Sequence, residues 1–129
     1  MAGRIMELAC LDNKTNPNII NLLLNDIVIK QHYFYYACRG GNIETVKILL
    51  QDGRFDPSDS ANCAFKTCCD ILVNKNYKDN KTKNVMKYKT IANLIVSDKR
   101  FINNNLSDIE LNIIMEIRSE KLKRLFKGL

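Results

Sequence analysis

Two stretches of this chain end on the same signature, Asp52-Gly53-Arg54-Phe55 and, about 46 residues on, Asp98-Lys99-Arg100-Phe101. Each closes a run of apolar residues. A helix and its exit loop that occur twice constrain the fold more than any total does. Units of this kind cannot bury their apolar faces alone and must stack on one another.

The clearest unit spans Ala37 to Pro57. Gly40-Gly41 ends one helix, because glycine tolerates the left-handed C-cap. Asn42 caps the next helix. Ile43, Val46, Leu49 and Leu50 recur at helical spacing and form one stripe. Asp52-Gly53 ends that helix, and Asp56-Pro57-Ser58 is turn chemistry. Fragments of the unit recur on both sides. Upstream, Leu8-Ala9-Cys10 parallels Ala37-Cys38, and Ile19 to Asp26 parallels Val46 to Asp52, with Asn16-Pro17 as a helix start. Downstream, Asn62 to Cys69 repeats the first helix and Ile91 to Phe101 the second with its exit. Ser107 with Glu110 forms a capping box. The pattern predicts helices over 2–11, 17–25, 32–39, 43–51, 60–73, 83–96, 107–117 and 120–126, in four pairs.

The 129 residues suit one domain, with repeats near 1–30, 31–58, 59–104 and 105–129. The third interval is long. Its excess, near 74–83, is polar and basic and reads as an inserted loop. No apolar run is long enough for a membrane span, and 1–10 has no secretory h-region. The five cysteines are odd in number and without a Cys-x-x-Cys pair, which suits free thiols in a reducing compartment. An intracellular, unsecreted protein with no membrane partner is expected. The formal charge is +6. Abundant Asn, Ile and Lys explain it through AT-rich codons; an electrostatic site for nucleic acid or an acidic partner explains it otherwise. Only Lys75 to Lys89 and Lys121 to Lys127 are dense in charge.

The string Ala37-Cys38-x-x-Gly41-Asn42-Ile43-Glu44-x-Val46-Lys47-x-Leu49-Leu50 resembles the second half of an ankyrin repeat. With the Asp52-to-Ser58 exit, it is similar to the divergent ankyrin repeats of giant DNA viruses of amoebae. The Thr-Pro-Leu-His that usually opens the first helix is absent, and the outer units read as caps. The resemblance implies an all-α, short ankyrin-repeat solenoid of about four helix pairs. It also implies a non-enzymatic interaction module, viral in origin, acting on a host or virion protein. Partner contacts would come from the loops and inner helices: Tyr35, Arg39, Arg54, Asp56, Asp59, Lys66 and Arg100. The alternatives are a basic nucleic-acid-associated protein and a structural subunit of a larger assembly.

No catalytic, cofactor or metal residues are expected. His32 is the one histidine and has no Asp-Ser or Cys-His neighbour in sequence. Cys10, Cys38 and Cys68 fall at equivalent positions, where a small apolar side chain suits helix packing. Cys63, Cys68 and Cys69 lack zinc-site spacing. Of Tyr33, Phe34, Tyr35 and Tyr36, Phe34 or Tyr33 packs inward. The exposed tyrosines either serve as a binding hot spot or cover the neighbouring repeat. In the tail, Leu122, Leu125 and Phe126 are expected to pack on the preceding helix, leaving the lysines and Arg124 as a solvent face.

Overall fold

The computed structural model describes residues 2–74 and 82–128. Among them seven helices follow one another and no strand occurs. They are α1 (Ala2–Leu11), α2 (Pro17–Asp26), α3 (His32–Gly40), α4 (Ile43–Asp52), α5 (Asp59–Val73), α6 (Thr82–Ser97) and α7 (Asp108–Lys127). The all-α class expected from the sequence is therefore observed. The insertion expected near 74–83 lies for the most part outside the described residues, and α6 already runs from Thr82.

The helix starts follow from local chemistry. Asn16 accepts a hydrogen bond from the Asn18 N–H at 2.9 Å, with Pro17 in the first turn. Asn42 accepts from the Thr45 N–H at 3.1 Å. Ser107 and Glu110 close a reciprocal capping box at the start of α7. Each satisfies N–H groups that the helix leaves without an internal acceptor. Gly41 ends α3 at φ 74°, its N–H returning to the Cys38 carbonyl. Gly40 has a different task. A β-carbon there would run into the carbonyl of Leu11 at the end of α1, so α1 and α3 meet backbone to backbone.

The helices pack in two rows. In one, α1 touches α3 and α3 touches α5; in the other, α2 touches α4 and α4 touches α6. Contacts of α1 with α2, α3 with α4 and α5 with α6 join the rows into pairs, and α7 leans on α5. The core runs between the rows and includes Met6, Ile20, Tyr33, Phe34, Val46, Leu49, Phe65, Ile91 and Ile95. Tyr33 and Phe34 are thus both buried, and the Phe65 ring meets Phe101 edge-on at 5.5 Å.

Three expectations are corrected. The fourth pair is a single helix: α7 runs unbroken through Arg118-Ser119-Glu120. None of these is Gly or Pro, and serine alone weakens a helix interior too little to stop it. Among the described residues the helices form three pairs and a closing helix instead of four pairs. Because the tail does not fold back, Leu122, Leu125 and Phe126 do not pack on a preceding helix. They are 55, 62 and 70% exposed. Finally, Ser60, Ala61 and Asn62, expected to be ordinary helix, are left-handed (φ 54, 56 and 66°), so the right-handed part of α5 begins at Cys63. Asn62 explains part of this. Its buried side-chain amide donates to the carbonyls of Ile102 and Asn104 at 2.9 and 3.0 Å, pinning the next exit loop.

Candidate binding face and its loop supports

The repeated Asp-x-Arg-Phe signature has a repeated geometry. Arg54 folds back onto Asp52 and its Nη2 donates to the carbonyl of Leu24, in α2, at 3.0 Å. Arg100 folds back onto Asp98 and its Nη2 donates to the carbonyl of Leu50, in α4, at 2.9 Å. Its Nη1 adds a bond to the Phe55 carbonyl at 2.7 Å. Each arginine thus ties its exit loop to the last turn of the second-row helix one unit back. The first unit has Val28 in that place and no such tie. A second tie repeats as well. Gln31, just before α3, accepts from the Asp56 N–H and donates to the Arg54 carbonyl, both at 2.7 Å. Ser58, just before α5, accepts from the Ile102 N–H at 2.7 Å. Asp56 and Ile102 stand at equivalent places, two residues beyond the arginine.

The carboxyls of Asp52 and Asp98 are held below the usual carboxylate range, chiefly by hydrogen bonds from Arg54 and Arg100. A depressed folded-state value means that this contribution to stability is complete above the ordinary carboxylate range. It is lost as pH falls through the folded value. Arg100→Ala is expected to reduce stability by about 1–2 kcal/mol, because charge-assisted bonds are involved but the group is partly in water. Arg54→Ala, with one cross-unit bond and more exposure, should cost less. Urea denaturation of both variants checks this; a larger loss for Arg54→Ala would contradict the assignment.

The residues expected to bind a partner fall into two linked groups. Arg54, Asp56 and Arg100 line a cleft of about 340 Å³ at the loop tips, together with Phe55 and Ile102. Here Arg54 and Arg100 are engaged within the chain. Phe55 is buried, and Phe101 lies against Phe65, so both aromatic rings plug the loop interior. Asp56 also borders a second cleft, of about 130 Å³, between α3 and α5, with Tyr35, Asp59, Ser60 and Cys63. One helical turn along, Arg39 lines a third, of about 290 Å³, with Thr67 and Asp70. Lys66 stands on α5 between Cys63 and Thr67 in sequence, so the two clefts lie along the same helix pair. Tyr35 and Lys66 are half-buried and Arg39 is exposed. The left-handed stretch Ser60–Asn62 borders the Tyr35 cleft, and backbone strain of this kind collects at functional surfaces.

Sequence reasoning missed Gln31, Ser58 and Asn62, whose side chains bridge loops far apart in sequence. It also missed Tyr88, which donates from α6 to the Arg39 carbonyl at 2.9 Å and so steadies the end of α3. Nothing in the linear pattern marks such partners.

The other candidates take structural places. His32 bonds Glu7 on α1 at 3.0 Å and packs edge-on against Tyr33 and Tyr36. Cys10, Cys38 and Cys68 are fully buried on α1, α3 and α5. Burial pushes the Cys10 thiol up to about 12, and burial, with the Cys68 thiol beside it, raises Cys38 well above its ordinary value. Thiols held protonated are poor nucleophiles. Among the described residues no group of three His, Cys, Asp or Glu is placed to hold a metal ion. No helix among them is long and apolar enough to cross a membrane.

No family model matches the chain, and no curated protein or solved structure does either.

Proposed function

We propose that the chain is a non-enzymatic, protein-binding scaffold whose helix pairs stack as an ankyrin-type solenoid. Its partner lies along the α3–α5 face. The observation that carries this reading is the repeated staple: Arg54 and Arg100 make the same bond, one unit back, at the same place in two units. Units joined in that way build an extended surface in place of a single enclosed pocket. Tyr35, Arg39 and Lys66 supply an aromatic ring, a planar donor and a cation on that surface, side-chain types suited to interface anchors. Asp56 and Asp59 give its loop end the opposite charge. The buried thiols and the paired His32 support the non-enzymatic part.

The resemblance to viral ankyrin repeats adds an intracellular setting, with a host or virion protein as partner. A structural subunit of an assembly would use the same face permanently. The nucleic-acid reading rests on exposed cations such as Lys121 and Arg124.

The test is capture from amoebal cell extract on the immobilised chain, with and without nuclease. The wild type is expected to retain a specific protein that Tyr35→Ala/Arg39→Ala/Lys66→Ala releases, with the far-UV spectrum unchanged. Identical capture by both chains would reject the α3–α5 face. Capture that disappears with nuclease would favour nucleic acid.

A further inference from the structure

The last turns of α7 run at the surface, with Lys121 and Arg124 bordering a cleft against α6. Every residue from Lys121 to Gly128 is exposed, and at 1.5 Å per residue this segment is about 12 Å long. Upstream, α7 is held by buried Ile114, Ile117 and Glu110 and by the Lys89–Glu120 ion pair at 2.9 Å. At 100° per residue, Met115, Leu122 and Phe126 fall within about 40° of one another, with Leu125 about 60° beyond Leu122, on the Ile114 side. Ile114 and Ile117 point to the other side. The stripe therefore faces away from the protein. Met115 is 67% exposed and Phe126 70%. Arg118, Lys123 and Lys127 flank it, and Lys121 and Arg124 stand further round, beside α6; all five are exposed. Of the two acidic residues beyond Met115, Glu116 is exposed and outnumbered by the cations about it, and Glu120 is already paired with Lys89.

We propose that this exposed end of α7 is a peripheral docking element for an anionic lipid surface. The charge selects the occupant. Nucleic acid would satisfy the cations but leave Leu122, Leu125 and Phe126 in water. A second copy would cover the apolar stripe but bring two sets of like charges together. A bilayer with acidic headgroups answers both: Leu122 and Phe126 enter the acyl boundary, with Leu125 at their flank, while the cations stay among the phosphates. The helix lies on the surface and crosses nothing, so the lack of a spanning helix is no obstacle. This revises the expectation of no membrane partner. With so short an apolar face, attachment is reversible and strengthened by any second contact. It is independent of the α3–α5 partner face.

Co-sedimentation of the full chain with vesicles tests this. The chain should sediment with phosphatidylcholine–phosphatidylserine vesicles and stay in solution with phosphatidylcholine alone. Added salt should release it. Leu122→Gln/Phe126→Gln should weaken binding at least ~tenfold, since apolar insertion is lost. The helical spectrum should hold, because both side chains are exposed. Lys123→Glu/Lys127→Glu should weaken binding as well. Undiminished binding of the glutamine variant would overturn the proposal, as would equal binding to both vesicle types. So would failure to sediment with either vesicle while the chain binds duplex DNA or self-associates through the same residues.

Discussion

Leu49→Ala will lower the free energy of unfolding by about 2–5 kcal/mol. Leu49 is fully buried on α4, the helix that touches α2, α3 and α6. Truncation removes its transfer free energy and leaves a cavity that three neighbouring helices cannot all collapse into. Set against a typical total of about 5–15 kcal/mol, this is a large share. Denaturant titration should show a lower midpoint at nearly constant slope. A midpoint within error of the wild type would mean that α4 is rotated and presents another face to the core.

Gly40→Ala should be comparably damaging, at about 3 kcal/mol, the upper end of the usual range for overpacking. The obstacle is backbone, the carbonyls of Leu11 and Cys10, the latter 2.8 Å from the new carbon. A side chain could turn aside; two helix ends in contact must separate. Gly53 provides the control. Its φ is 85° and nothing lies within 4 Å of a β-carbon there, so alanine meets only backbone strain, about 1–2 kcal/mol. If thermal or chemical melts rank Gly53→Ala as the worse variant, the close approach of α1 and α3 is wrong.

These glycines show how far the sequence could be read. Gly40-Gly41 marked a helix end because left-handed caps are a local property, and Gly41 does adopt one. The contact of Gly40 with Leu11 is set by another helix and leaves no mark nearby. Asn16, Asn42 and Ser107 were legible as caps for the same local reason. The stripe on α4 was legible because burial of a helix face follows its period. The tail was misread because amphipathic spacing in Leu122, Leu125 and Phe126 tells which face is apolar and not what covers it. The split of α7 was expected from the pairing rule of the other units, against a local sequence that contains no breaker. Of the binding face, Tyr35, Arg39, Asp56 and Asp59 do border neighbouring clefts, and Lys66 stands on the same helix as their α5 lining. Arg54 and Arg100 stand in the loops from which the resemblance implies partner contacts, while the structure engages both in ties between units.

The stacking itself is open to one direct measurement, a carbon-edited nuclear Overhauser spectrum of the labelled chain. Cys38 and Cys68 sit at equivalent places on α3 and α5 with their thiols in contact, and the Phe65 and Phe101 rings are 5.5 Å apart. Cross-peaks should link the β-protons of Cys38 to those of Cys68, and the protons of the two rings to each other. Helical chemical shifts throughout α3 and α5 with neither set of cross-peaks would show that the helices form without stacking in this register.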